Sequence, residues 1–384
     1  MTLRLAVLQP TSLCNLDCRY CYVSGRRDPA RMDDATLAAA LGAVLRSRLL
    51  DPTVTVLWHA GEPLAAGRDH YERAFALVAE QRPDDVEVRL SIQTNATLIN
   101  DRWVELFVAH DVSVGVSVDG PAWLHDRQRQ SLSGRGSHAQ TMRGLRLLQA
   151  AGRPVGALCV LTRDSLAYPD EIYDFFVEAG VRSLAFNVEE TEGTHLRSSL
   201  AAPRPPVVAY ERFMNRLWSR WRDDPRRLQI REFERVLRVI RERQRDPAWH
   251  PVPDDTVGFR NVTIDKHGNV TTFSPELANG VDGARFVVGN VHAHTLDEMA
   301  RSERYLALAK EVADGVAACA RGCGYFELCG AGFVSNKFFE HGTVTATETI
   351  SCRLHRQRLL DVALARLARE TAEREGTPTG APSR

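Results

Sequence analysis

Short apolar runs recur through the first half of the chain, separated by longer stretches with apolar residues every three to four positions. The short runs are LRLAVLQ (3–9), TVTVLWH (53–59), VEVRLSIQT (86–94), DVSVGVSVD (111–119), PVGALCVLT (154–162) and RSLAFNVEE (182–190). Their β-branched content and length predict strands. Segments such as DDATLAAALGAVLRSRLL, DRWVELFVAH, SHAQTMRGLRLLQAAG and PDEIYDFFVEAG carry helical spacing. Strand followed by helix, six times over, predicts an α/β fold with a parallel sheet and crossover helices. Several runs are apolar at consecutive positions, which predicts strands covered on both faces. Three strands run into HAGEPL, NAT and DGP, and the first runs into SLCNLDCRYCYV. Parallel α/β folds carry their chemistry on such loops, at the carboxyl ends of strands.

The texture changes after APRPP. Residues 204–245 hold 13 arginines against 6 acidic residues, with Leu228, Phe233, Leu237 and Ile240 as an apolar stripe. That pattern predicts amphipathic helices with a solvated face, or a platform for an acidic peptide. VGFRNVTIDKHGNVTTFSPE predicts a β-hairpin turning at Lys266–Asn269. A cysteine- and glycine-rich region spans 319–352, and the last stretch predicts a helix decaying into a disordered tail. The expected organisation is a barrel-like unit at 1–203, an arginine-rich helical connection at 204–250, a cysteine-bearing unit at 251–355, and a helix and tail at 356–384.

Composition narrows this picture. The 384 residues are 44% hydrophobic and 26% charged with a formal net charge of +0, so nothing global points to nucleic acid or an anionic membrane. No apolar stretch approaches the roughly 20 residues a bilayer span needs, so a soluble, cytoplasmic protein is expected. In a reducing cytosol the 8 cysteines are expected as metal ligands or reactive thiols rather than disulfides.

Cys14, Cys18 and Cys21 are an awkward number: a disulfide needs two thiols and a closed zinc site four. A zinc site completed from elsewhere or three unrelated thiols are open readings. A cubane iron–sulfur cluster wants four ligands, so three would leave one iron free for a small molecule. CNLDCRYC, with HAGEP, SIQTNAT and SVDGP behind it, resembles the radical S-adenosylmethionine (SAM) superfamily. The resemblance implies a partial (β/α)6 barrel and a [4Fe-4S] cluster on Cys14, Cys18 and Cys21. It implies reductive cleavage of SAM to methionine and a 5′-deoxyadenosyl radical, fed by a flavodoxin- or ferredoxin-like one-electron reductant. Tyr20 is then the aromatic beside the adenine, and Gly61 and Glu62 hold the SAM amino group, with Ala60 replacing a glycine. Asn95, Ser117 and Asp119 lie near the ribose or substrate, and Arg129 is a candidate for the SAM carboxylate.

Cys319, Cys323, Cys329 and Cys352 make a complete set for one further cluster, and zinc could also take four thiolates. CARGCGYFELCGAGF resembles the SPASM extension of peptide-modifying radical SAM enzymes, which usually carry two auxiliary [4Fe-4S] clusters. Here Phe333 stands where a cysteine is usual, and the expected pair around 273–295 is absent. The ligands lost belong to one auxiliary cluster and those kept to the other. Cys159, inside GALCVL, is expected as a core residue. FNVEETEG, TFSPEL and CGAGFVSNKFFEHGTVTATETISCRLH resemble the maturases that close three-residue cyclophanes in ribosomally made precursor peptides. That resemblance implies a Cβ hydrogen abstraction, a C–C bond to an aromatic ring, and Glu189 or Glu190 as proton acceptor. Rival readings are thioether formation, formylglycine formation in sulfatases, or a non-catalytic zinc protein.

Overall fold

A computed structural model of the chain describes residues 2–201, 203–226, 228–279 and 283–374. Six strands follow one another in parallel: β1 (Leu3–Leu8), β2 (Leu50–Trp58), β3 (Glu87–Thr94), β4 (Ser113–Ser117), β5 (Gly156–Leu161) and β6 (Ser183–Val188). The helices between them are α1 (Asp34–Leu45), α2 (Arg68–Gln81), α3 (Asp101–Ala109), α4 (Ala122–Gln128), α5 (His138–Ala150) and α6 (Pro169–Glu178). Local chemistry sets their starts: Asp33 accepts from the Thr36 N–H and Asn100 from the Trp103 N–H, satisfying orphan donors of the first turn. This is the α/β architecture that the alternation predicts.

Burial corrects one detail. β1 is buried at consecutive positions near its end, but β5 and β6 alternate. Ala157, Cys159 and Leu161, like Leu184, Phe186 and Val188, pack in the core under the helices, while Gly156, Leu158, Val160, Ser183, Ala185 and Asn187 stay partly exposed. Only one face of these strands is covered with apolar residues, because the other lines the lumen of an incomplete barrel.

Beyond β6 come α7 (Val207–Asp223), the two-residue β7 (Gln229–Ile230) and α8 (Arg231–Arg245). β7 pairs with β6 only at Ser183 and Leu184. The first turn of α8 takes over above it. Glu232 accepts the Phe186 N–H at 3.0 Å, and Arg231 donates to the Phe186 carbonyl and to Asn187. An open strand edge is thereby satisfied by side chains.

The rest of the chain joins the same sheet. β8 (Asn261–Ile264) pairs parallel with β1, and β9 (Asn269–Thr272) and β10 (Val287–Asn290) extend it antiparallel, giving ten strands in the order β10-β9-β8-β1-β2-β3-β4-β5-β6-β7. The β8–β9 turn closes with Gly268 N–H on the Asp265 carbonyl. From its tip Lys266 reaches Ser12 and Asp28, tying this hairpin to the loop after β1. Next come α9 (Leu296–Met299), α10 (Glu303–Gly322), α11 (Phe326–Cys329), α12 (Val334–His341), a π-helical turn over Cys352–Arg358, and α13 (Leu359–Arg374). Of the helix and tail expected over 356–384, residues 375–384 lie outside the described residues. No helix among the described residues is long and apolar enough to cross a membrane.

Candidate active site

The loop after β1 brings Cys14, Cys18 and Cys21 to the wall of one cavity of about 210 Å³ at the carboxyl ends of the strands. Its backbone is held by its neighbours. Glu62 N–H donates to the Leu13 carbonyl at 2.8 Å. A Cβ on Gly61 (φ +56) would lie 2.6 Å from the Leu13 oxygen and 2.7 Å from the Ser12 carbonyl, so the HAGEP loop seats the cysteine loop only with glycine there. Ala60, preceding it, also adopts a positive φ of 74.

The sequence candidates divide into those that face the cavity and those that brace it. Tyr20, Gly61, Asn95, Ser117 and Arg129 line it with the thiols, as do Glu189 and Glu190. Glu62 does not. Its carboxylate is fully buried and accepts from Leu64 N–H, Thr94 hydroxyl and Asn95 N–H at 3.1, 2.7 and 2.9 Å. Both oxygens are committed to clamping the HAGEP loop onto the end of β3, and the Ala60–Gly61 backbone faces the cavity instead. Asp119 is likewise a hub: it accepts from Arg129 Nε at 3.0 Å, from the Tyr20 hydroxyl and from Val160 N–H at 3.0 Å. The Arg129 guanidinium also lies 5.3 Å from the Tyr20 ring centre. Asp119 thus fixes two cavity-facing side chains at once.

Glu189 and Glu190, adjacent in sequence, have different surroundings. Glu189 is engaged by His195 Nε2 at 2.9 Å and by the Ser199 hydroxyl. Glu190 accepts from the Ser351 hydroxyl at 2.8 Å and lies against Glu192 and Glu276, both of which line the same cavity. Glu192 in turn accepts from Asn336 Nδ2 at 3.0 Å. Burial pushes the Glu190 carboxyl up to about 7, with Glu276 adding to it. Glu192 is likewise pushed well above the ordinary carboxylate range, by burial and then by Glu190 and Glu276. Sequence reasoning singled out neither Glu192 nor Glu276. Ser274 and Glu276 come from the stretch where the SPASM resemblance expects cysteines, so carboxylates and hydroxyls occupy that part of the chain.

A second set of thiols lines a much smaller space of about 20 Å³: Cys319 and Cys323 at the end of α10, Cys329 ending α11, and Cys352 opening the π-helical turn. Phe333, beside it, holds a left-handed backbone (φ 56), and Arg356 packs 4.4 Å over its ring. Lys337 is buried with its Nζ 3.4 Å from Cys319 Sγ. Cys159 lies in the core and meets neither set.

Both sets fit iron–sulfur clusters by the chemistry of their donors. Each is all thiol, and burial raises Cys14 to about 12, Cys18 to about 11 and Cys329 to about 12, a cost that bound iron would offset. Among the described residues no three Cys, His, Asp or Glu side chains are arranged to hold one metal ion.

Known proteins agree with this geometry. Residues 8–176 match the radical SAM superfamily. The chain is 38% identical to the uncharacterized protein sll1766 of Synechocystis sp., across 94% of this chain and 92% of that one. It is 36% identical to the serine-type anaerobic sulfatase-maturating enzyme of Klebsiella aerogenes over 54% of its own length and 51% of that enzyme, about half of that relative. The solved structure of native anSMEcpe with bound AdoMet superposes with a TM-score of 0.79 at 21% identity, covering 95% of this chain and 98% of that one. Streptococcus suis SuiB bound to precursor peptide SuiA gives 0.64 at 14% identity, covering 91% and 76%. At those identities the two structures speak for the fold alone. With the cysteine loop, the strand-end cavity and these matches together, residues 8–176 carry a radical SAM domain and the chain is an enzyme; that domain implies SAM and a [4Fe-4S] cluster.

Proposed function

We propose that this enzyme acts on a ribosomally made precursor peptide, taking a Cβ hydrogen and joining that carbon to a nearby aromatic ring in a three-residue cyclophane. The observation that carries the reading is the carboxylate group of Glu190, Glu192 and Glu276. It lines the cavity of the first thiol set, and through Ser351 it touches the segment bearing the second. Cys14, Cys18 and Cys21 would hold a cluster that, with SAM, would supply a hydrogen-abstracting carbon radical, and Cys319, Cys323, Cys329 and Cys352 would hold a second that would supply an electron acceptor. Rearomatisation of the attacked ring must release one proton and one electron. Glu190, poised between protonation states near neutral pH, is the group in this cavity suited to take the proton. Arg129 and the Ala60–Gly61 backbone orient SAM, and Tyr20 packs beside its adenine. Residues 1–203 form the radical-generating unit and 251–355 the SPASM-like unit in this reading. A peptide substrate is supported by the anSMEcpe and SuiB structures, which hold peptides.

Formylglycine formation is the second reading, favoured by the Klebsiella relative. An anaerobic assay separates them. A precursor with an aromatic residue and neither serine nor cysteine should lose about 2 Da (two hydrogens by bond counting) and give no hydrazide adduct. Deuterium at the attacked Cβ should appear in 5′-deoxyadenosine. An aldehyde formed at serine or cysteine instead would establish the second reading.

A further inference from the structure

Helix α8 crosses the open side of the barrel and turns one row of arginines toward the lumen. Arg231, Arg235, Arg238 and Arg241 follow at spacings of four, three and three, one face of a helix. They line an open groove of about 860 Å³ against the starts of β4, β5 and β6, where Gly115 and Gly156 keep the wall low, and Glu234 is the one acidic side chain among its lining residues. The glycines matter here: a Cβ on Gly115 would fall 2.1 Å from Gln93 Oε1, and one on Gly156 would meet Ser183 Oγ at 3.0 Å. Arg231 is tied to Glu232 and β6. The side chains of Arg235 and Arg238 make no hydrogen bond or ion pair among the described residues. The groove also leads somewhere. It shares Gln93 and Leu158 with the cavity of the three thiols. It shares Arg231 and Arg235 with a cavity of about 270 Å³ that in turn borders the thiol cavity at Asn187 and Glu190.

We propose that this groove seats an acidic segment of the peptide substrate and delivers the residue next to it to the reaction cavity. The proposal rests on the peptide-modifying reading above and adds the charge of what is bound. Arg231 to Arg241 span about 15 Å of helix at ~1.5 Å per residue, the length of four or five extended residues at ~3.3 Å each. Side chains on one face of an extended peptide recur about every 7 Å, within reach of successive flexible arginines, so carboxylates at alternate positions fit best. A nucleic acid is the weaker occupant. The chain has a formal net charge of +0, and the basic row is confined to a groove that opens into the catalytic cavity.

The test is equilibrium binding, by fluorescence anisotropy, with the full chain. The probes are labelled peptides carrying Glu-Gly-Glu-Gly-Glu, Gln-Gly-Gln-Gly-Gln or Lys-Gly-Lys-Gly-Lys before an aromatic residue, and a single-stranded oligonucleotide of equal charge. The glutamate peptide should bind roughly tenfold or more tightly than the glutamine peptide at low salt. That advantage should shrink at an ionic strength of about 0.5 M and in an Arg238→Gln/Arg241→Gln variant. Both positions are exposed, and a melting curve matching the parent's shows that the variant is folded. Equal binding of the glutamate and glutamine peptides overturns the proposal, as does an oligonucleotide bound as tightly as the glutamate peptide. The peptide-modifying reading stands apart: it fails if wild-type enzyme removes no hydrogens from an aromatic-containing precursor at saturating concentration, whatever that peptide's charge.

Discussion

The two thiol sites differ in how much room they leave. Around Cys14, Cys18 and Cys21 there is a cavity of about 210 Å³ walled by tyrosine, arginine, asparagine and glutamate. Around Cys319, Cys323, Cys329 and Cys352 there is about 20 Å³, with Phe326, Phe333 and Lys337 closing in. Three ligands in an open space suit a metal centre that must also hold a small molecule. Four in a closed one suit a centre that only exchanges electrons. In the proposed reading, the count of cysteines and the size of the space point to the same division of labour.

The largest effect should come from removing either set. Replacing Cys14, Cys18 and Cys21 with alanine should remove about four irons and all SAM cleavage, while Cys329→Ala should remove the other four and spare SAM cleavage. Iron, sulfide and zinc analysis of anaerobically reconstituted protein decides it. About one zinc at the four-thiol site, with no second cluster, would break the comparison.

A smaller effect is expected at the carboxylates between the sites. Glu190→Gln should slow product formation by roughly 10²–10⁴-fold, the usual reach of a general base, while SAM cleavage continues. The parent's product-forming rate should rise with pH through about 7, as Glu190 loses its proton. Stability should move the other way. The folded state holds the Glu190 proton more tightly than the unfolded chain, so its contribution to stability falls as pH rises from 4.5 to about 7. Melting curves should therefore place Glu190→Gln above the parent at pH ~8 and level with it at pH ~4. A variant less stable than the parent at pH ~8 would mean that the carboxylate is held charged by a partner.

Glu62→Gln comes next. An amide nitrogen would face one of three donors, costing about 1–3 kcal/mol of stability. SAM affinity should fall about tenfold, because the loop bearing Ala60 and Gly61 loses its clamp. Weakened SAM binding at unchanged stability would instead show Glu62 reaching the ligand. The smallest effect is at Ala60, held at φ 74. Ala60→Gly should relieve about 1 kcal/mol of strain, offset in part by glycine's ~0.5–1 kcal/mol of chain entropy. A denaturant midpoint shifted down rather than level or up would show that the Ala60 methyl packs usefully.

Much of this was legible in the sequence, because the features are local. The six parallel strands announce themselves as apolar runs, and the cysteine spacing lies in one loop. What was not legible depends on distant residues meeting. LRLAVLQ and GALCVL look alike as runs, yet β1 is buried at consecutive positions near its end, whereas Leu158 and Val160 of β5 face a lumen. HAGEP offers a carboxylate for a ligand, but three donors arriving from 64, 94 and 95 commit Glu62 to the fold. Glu192 and Glu276 lie 84 residues apart with no shared motif, and they become a group only when β9 is laid in the same sheet as the barrel strands. The arginines of α8 were visible as charge. Their orientation follows from Glu232 fastening the helix to β6.

The pairing of β8 with β1 has a consequence for how the protein is made. Leu5 waits for Asn261, 256 residues later, before its second edge is covered. At roughly 5–20 residues per second on the ribosome, that is about 13–50 s during which an apolar strand in the growing chain presents unpaired amide groups. The nascent barrel is open at both ends of its sheet for that interval, and the last hairpin to emerge closes the first strand laid down. Chains ending between residues 230 and 261 should therefore be captured by holding chaperones, even though every strand of the barrel itself has already been synthesised.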